Sequence, residues 1–438
     1  LGEATHLPTE TIVLTPPELT EGAVTIGEDV SYRYEHQRAR VIRLAIVRPI
    51  YKCDDEARIE THIYQADPPD EMIPKGLLAH GMLAHLLVSK WEDHLPYNRQ
   101  ERILERDGII LDRSVMCRAE KRCAELASGI VEAARKDAIE NACVIGTDAT
   151  GTLVQSKGTC RRGHFFVSIA DSDYIFFDYT AKHTQVAVGK HFDGFGGYLQ
   201  ADASSVDEAL FAAEGGPTEV GCLAHARRNF FEAVREEREP SMVAIALFEG
   251  RFRIERETRG LAPSVRLAIR QARGRPFWDE LLLFCTRQSQ ARGRDRSLLG
   301  RAVRYVLRHQ LALGRFLHDG RLKLTNNDCE RALRQVVVGR HNWIFVGSDK
   351  DAALSAVWIS LLASCRLHKL DSREYLRDLF RVLPQWPNTR LLELHPRSWT
   401  ATKSRLDPAE LAAHVGAITI PEAIPLPRTD TTSDEAES

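Results

Sequence analysis

Apolar and basic residues are interleaved over 32–51, where Val41, Ile42, Leu44, Ile46 and Val47 sit among Arg38, Arg40, Arg43 and Arg48. This β-like composition, following an acidic and proline-containing start, predicts a small strand-rich module over 1–70. Pro68-Pro69 and Pro74-Lys75-Gly76 end it. Leu77, Leu78, Met82, Leu83, Leu86 and Leu87 then recur at helical spacing, and further helices are expected over 98–106 and 113–140. From Ala142 the chain changes to runs rich in Val, Ile, Phe and Tyr, over 143–148, 164–170, 174–179, 198–202 and 219–223. These read as five strands, with helices over 183–190 and 206–213 between the later ones. Three strands in quick succession followed by helix-linked strands predict a mixed α/β sheet. After His225 the pattern is helical to about His318, including 240–256, 278–290 and 297–316. A helix carrying Glu330, a short strand-like run over 343–347, a buried helix over 352–367 and a helix over 372–382 complete the ordered chain. From about Pro421 the chain is rich in Pro, Thr, Asp and Glu and is expected to be disordered.

The chain has 438 residues, 43% of them hydrophobic, enough for about three domains with real cores. Its 59 basic and 61 acidic residues nearly cancel, but they are unevenly placed: residues 221–345 hold 25 Lys and Arg against 13 Asp and Glu. Such a block is a candidate footprint for a phosphate backbone, although solvated helix faces give the same composition. The short helices of 71–140, separated by turns such as Asp107-Gly108, suit a helix-turn-helix reader of DNA and equally an ordinary bundle. Nine scattered cysteines, never in a CxxC pair, do not form a disulfide framework, so a reducing cytoplasm is expected. Cys222 and His225 have the spacing of half a zinc site, without a second pair. No basic and apolar leader opens the sequence, and the longest near-apolar run, 352–365, is too short to span a bilayer. The first residue is Leu1 rather than Met, which leaves open what precedes it.

Three acids stand out. Asp148 closes Val144-Ile145-Gly146-Thr147-Asp148, Asp202 closes Tyr198-Leu199-Gln200-Ala201-Asp202, and Glu330 lies one turn into a helical run. Brought together, they would offer hard oxygen ligands to divalent cations, which can clamp the attacking and leaving oxygens of a phosphodiester. Each also has an ordinary reading. An Asp at a strand end often opens a turn. Glu330 fits a capping box with Asn327, or an ion pair with Arg334. Spacing alone leaves both readings open.

The words around these residues are more specific. Gly221-Cys222-Leu223-Ala224-His225-Ala226-Arg227-Arg228-Asn229-Phe230-Phe231 and Leu324-Thr325-Asn326-Asn327-Asp328-Cys329-Glu330-Arg331-Ala332-Leu333-Arg334, continuing through Val338-Gly339-Arg340-His341-Asn342-Trp343-Ile344-Phe345-Val346-Gly347-Ser348, closely resemble the insertion-sequence-66 family of bacterial transposases. Tyr375-Leu376-Arg377-Asp378 downstream and Ile73-Pro74-Lys75-Gly76-Leu77, Val88-Ser89-Lys90-Trp91-Glu92-Asp93-His94-Leu95-Pro96 and Asp112-Arg113-Ser114 upstream extend the resemblance over about 27–392.

The resemblance implies a DDE transposase with a ribonuclease-H-like catalytic core over 141–225 and 321–370. An all-helical basic insertion over 226–320 would interrupt that core. Residues 1–70 would correspond to a degenerate zinc-binding segment, 71–140 to a helical DNA-binding region, and 371–438 to a C-terminal helix and tail. Asp148, Asp202 and Glu330 match the family's catalytic, metal-binding acids. They would hold two Mg²⁺ (or Mn²⁺) ions, one activating water or a 3′-hydroxyl and the other stabilising the leaving 3′-oxygen. Arg227, Arg228, Arg331, Arg334 and Arg340 are expected at DNA phosphates.

The sequence departs from the family in three places. Only Cys53 stands where the family has paired cysteines, so no zinc is expected. Ala203-Ser204-Ser205 follows Asp202 where the family has Gly-Tyr, and the family's leading coiled coil is not visible. The expected activity is cleavage of transposon ends and strand transfer to target DNA. The alternatives are a catalytically silent DNA-binding derivative and a nuclease that hydrolyses without joining. The expected partners are DNA, further copies of the chain on DNA and accessory transposon-encoded proteins, in a bacterial cytoplasm at the nucleoid and without a membrane.

Overall fold

The apolar and basic run near the start of the chain becomes the long strand of a sheet. The computed structural model describes residues 8–17, 23–37, 40–55, 60–182, 184, 188–202, 208–292 and 296–423. The Ala203-Ser204-Ser205 departure, half of the helix expected over 183–190, the side chain of Cys53 and the tail from 424 lie outside the described residues. The first sheet comprises β1 (Thr9–Val13), β2 (Val24–Gln37), β3 (Arg40–Asp55) and β4 (Glu60–Gln65). Strands β2 and β4 run antiparallel to β3, and β1 runs parallel to it.

Helices α1 (His80–Trp91), α2 (Tyr97–Arg106) and α3 (Arg113–Asn141) follow. The second sheet comprises β5 (Val144–Ser156), β6 (Thr159–Ala170), β7 (Tyr174–Thr180), β8 (Tyr198–Ala201) and β9 (Thr218–Gly221), with α4 (Glu208–Ala212) between the last two. Helices α5 (Leu223–Ala233), α6 (Arg238–Glu257), α7 (Pro263–Ile269), α8 (Arg275–Arg292), α9 (Leu298–Arg308) and α10 (Gln310–Gly314) form the insertion. After them come α11 (Asn327–Trp343), α12 (Asp349–Leu367), α13 (Ser372–Val382), α14 (Pro396–Lys403) and α15 (Pro408–Ala412).

These elements group into two compact units. One is built from residues up to Ala134 and from Val338 onward, the other from Arg135 to Val337. In the first, Ile42, Leu44 and Ile46 of β3 are buried. Helix α1 is buried on nearly all sides, packing on β2, α12 and α13. In the second, the strand order is β7-β6-β5-β8-β9. β5, β6 and β7 form an antiparallel meander, while β8 is parallel to β5 and β9 to β8. The insertion carries its own core, in which Phe230, Phe248, Trp278, Leu281 and Phe316 meet Val220 of β9. Among the described residues, no helix is long and apolar enough to cross a membrane.

Two expectations from the sequence are corrected. The run 343–347 is not a strand: α11 continues through Trp343 and ends where Ile344 takes a left-handed φ of 66°. Its apolar residues read as β-like, but Trp343 closes the helix with its ring edge-on to Trp91 at 6.2 Å, and Ile344 and Phe345 are exposed. The helix expected over 297–316 is broken at His309, beyond which a separate short helix begins.

Several histidines of the first unit are buried beside other cations. His80 is pushed down to about 3 by burial and by Arg381. His85, stacked on His36 with ring centroids 3.8 Å apart, is pushed to about 3 by burial, His36 and Arg373. His395 is also held at about 3, chiefly by burial, and its neutral Nδ1 caps α14 by accepting from the Arg397 N–H at 3.3 Å. With folded values below the unfolded one of about 6.5, the unfolded chain binds more protons in this window, so stability falls as pH drops from about 6.5 toward 3. His414, raised by its contact with Glu35, works in the opposite sense, against these three and against His36 and His94, which burial also lowers. Each depressed histidine contributes a slope of at most about 1.4 kcal/mol per pH unit. In urea unfolding between pH 7 and 5, His395→Asn, which keeps an acceptor for the cap and does not titrate, is expected to flatten the acid limb; an unchanged slope would refute the assignment.

Candidate active site

Residues 323–326 run past the ends of β8 and β9 and past Thr147, near the start of β5. The Gln200 side-chain amide donates to the Lys323 carbonyl at 2.7 Å, and the Leu223 N–H donates to the Leu324 carbonyl at 2.9 Å. The Asn326 N–H donates to Cys222 Sγ at 3.3 Å, and Asn326 Nδ2 donates to the Thr147 carbonyl at 2.6 Å. Helix α11 starts at the next residue. It can lie this close to β5 because residue 146 is glycine: a Cβ there would stand 3.0 Å from Asn326 Oδ1 and 3.1 Å from Cys329 Sγ. Cys329 is therefore buried, and Glu330 emerges beside it with its side chain one-third exposed.

The two aspartates reach the same corner through strand register. The parallel pairing of β5 with β8 sets Ile145 opposite Leu199 and Gly146 opposite Gln200, and the same offset two residues further on matches Asp148 with Asp202. Asp148 Oδ1 accepts from the Ala149 N–H at 2.8 Å. Burial holds the Asp148 carboxyl above its ordinary value; the Ala149 bond and His225 oppose this, and the charges of Glu330 and Asp202 add to it. The charges of the other two acids named from the sequence thus both reach Asp148.

Protein cations balance part of this charge. Glu330 Oε1 lies 3.4 Å from His225 Nε2 and 3.7 Å from the Arg228 guanidinium. The neighbouring Cys222, with the charges of Asp202 and Glu330, pushes His225 up to about 9. Tyr305, from α9 of the insertion, donates to Asp202 Oδ1 at 3.0 Å. Glu330 contacts these cations and neither closes a capping box with Asn327 nor pairs with Arg334 among the described residues.

Among the described residues, no three His, Cys, Asp or Glu side chains are drawn together tightly enough to hold a metal ion. The donor chemistry nevertheless suits one. Three carboxylates offer the hard oxygens that Mg²⁺ and Mn²⁺ prefer, and a divalent charge would relieve the repulsion that Asp148 feels.

The expected phosphate-binding arginines separate. Arg227, Arg228 and Arg331 line a cleft of about 940 Å³ that also contains Glu330. Arg334 is exposed and does not line it, and Arg340 belongs to the other unit. Tyr305 was missed in the sequence because nothing in its local pattern links an insertion helix to the end of β8. His225 stood out in the sequence as half of a zinc-like pair with Cys222, and its pairing with Glu330 was not legible.

Residues 75–354 match the model of the family described as "Transposase IS66 family", and residues 360–396 match "IS66 C-terminal element". The chain is also 30% identical over 402 residues to "Uncharacterized protein y4hP" of Sinorhizobium fredii (strain NBRC 101917 / NGR234), covering 85% of this chain and 71% of that protein. "Uncharacterized protein y4qI" of the same strain is 28% identical over 424 residues, covering 90% and 76%.

Asn326 is the fastening that can be tested without touching an acid. Asn326→Ala leaves the buried Thr147 carbonyl without its donor, and is expected to cost roughly 1–3 kcal/mol in urea unfolding. Asn326→Asp, of the same shape but unable to donate, should lose at least as much; wild-type stability in both variants would show that this bond does not seat α11.

Proposed function

Because this chain belongs to the IS66 family of transposases, we propose that it cleaves DNA at transposon ends and joins the freed 3′-hydroxyl to target DNA. In this reading Asp148, Asp202 and Glu330 are the carboxylates of a divalent-metal site. The observation that carries it is that Glu330 and Asp202 both come near enough to the largely buried Asp148 for their charges, with burial, to hold its carboxyl up. The order β7-β6-β5-β8-β9, an antiparallel meander joined to two parallel strands, supports a ribonuclease-H-like core for the site.

Bound Mg²⁺ or Mn²⁺ would activate water or a 3′-hydroxyl and stabilise the leaving 3′-oxygen. The chain's own groups set the stage for that chemistry. The Ala149 N–H and the Tyr305 hydroxyl orient Asp148 and Asp202. His225 and Arg228 hold Glu330 and offset its charge, and Glu330 would be one of three carboxylates holding the metal. Arg227, Arg228 and Arg331 present positive charge to phosphates along the cleft. Since Glu330 is ion-paired within the protein, the silent DNA-binding derivative is the reading to be separated by experiment.

Asp148→Asn, Asp202→Asn and Glu330→Gln are each expected to lower Mg²⁺-dependent cleavage of transposon-end DNA by roughly a hundredfold or more, with gel-shift binding retained. Cleavage unchanged in all three would remove the metal-site reading. A hydrolysed product without any joined product would make the protein a nuclease, and absence of cleavage in the wild type alongside firm binding would make it the silent derivative.

A further inference from the structure

Phosphate binding does not account for one wall of the cleft beside Glu330. Phe230 is wholly buried in the insertion core, but the adjacent Phe231 is 65% exposed and lines the cleft. It lies three and four residues beyond Arg228 and Arg227 on α5, and so shares their helix face. Phe252 of α6, another lining residue, has its ring 5.9 Å from the Arg227 guanidinium. Seven cationic side chains line this cleft against four acidic ones, so it favours an anionic occupant. Its volume of about 940 Å³ is at the upper end of ordinary ligand pockets, roughly 300–1,000 Å³.

We propose that the cleft takes an unpaired nucleotide of the DNA end, with its base stacked on Phe231 and its phosphate on Arg228 and neighbouring cations, next to the phosphodiester that Glu330 serves. This rests on the reading of Glu330 given above and adds a substrate form to it. An aromatic face beside cations binds single strands because every base has a π-face and every nucleotide a phosphate. A base inside a duplex is already stacked on both sides and has no free face to offer. Phe231 is then a positioning residue that favours frayed or single-stranded ends over fully paired ones, without reading sequence.

The test uses the full chain in EDTA, so that binding is read without cleavage. The probes are a short single strand carrying 2-aminopurine and the same sequence as a blunt duplex. The wild type is expected to quench the 2-aminopurine and to bind the single strand. Phe231→Ala should lose the quench and bind the single strand about tenfold more weakly, with duplex binding unchanged, and Phe231→Trp should restore both. Circular dichroism melts of the two variants establish that the insertion still folds.

Equal single-strand affinity in the wild type and Phe231→Ala would overturn the proposal. So would a concentration-dependent self-association that Phe231→Ala abolishes while DNA binding is unchanged, because the patch would then belong to a second copy of the chain. The two readings can fail separately. Loss of stacking in Phe231→Ala together with unchanged cleavage in Asp148→Asn would keep the nucleotide cleft and remove the metal site.

Discussion

The seating of residues 323–326 against β5, β8 and the start of α5 is the constraint on which the site depends. The chain leaves the sheet at Leu223, builds a helical insertion and returns at Leu324, and the hydrogen bond between these two residues closes the neck. Closing so long a loop is entropically costly, and the insertion's own core around Phe230, Phe248, Trp278 and Phe316 offsets that by folding it as a packed body. The same four bonds set where α11 begins, and thus where Glu330 stands relative to the strand that carries Asp148. A side chain at position 146 would push that helix away.

The positive charge of the insertion serves two purposes that a residue count merges. Arg270 is buried, with a two-point bond to Glu255 at 2.7 and 3.0 Å and further bonds to the carbonyls of Phe316, Asp319 and Leu322. Arg251 is buried as well, its guanidinium 4.1 Å from the Phe316 ring and 4.9 Å from that of Trp278, and burial brings it down to about 9. Both hold the insertion together and are unavailable to a phosphate. Arg227 and Arg228 instead line the cleft, with Arg256, Arg259, Arg266, Lys323 and Arg331. Burial, which decides between these roles, is set by packing between helices far apart in sequence.

At the corner itself, negative charge is concentrated and only partly compensated. His225 and Arg228 lie against Glu330, the Tyr305 hydroxyl against Asp202, and one backbone N–H against Asp148. Two of these groups, His225 and Arg228, come from the first turns of α5, and Tyr305 comes from α9. The insertion therefore helps build the electrostatic setting of the acids as well as separating Asp202 from Glu330 in the chain.

The period of apolar residues was enough to predict most helices and the five strands of the second sheet, because local pattern and buried face coincide there. It misread 343–347, where an apolar and aromatic run ends a helix and is largely exposed, and joined α9 to α10 across His309. The identities of Asp148, Asp202 and Glu330 were legible because the motifs around them are local strings. Their convergence, the pairing of Glu330 with His225 and Arg228, and the reach of Tyr305 to Asp202 were not. Those depend on strand register and on a helix fastened to a distant strand, and no spacing along the chain encodes a distance across a fold. By itself the sequence determined which elements form and which acids are on offer. Only the tertiary structure decided which charges share a corner, because burial and proximity set their interaction and both arise when remote segments pack.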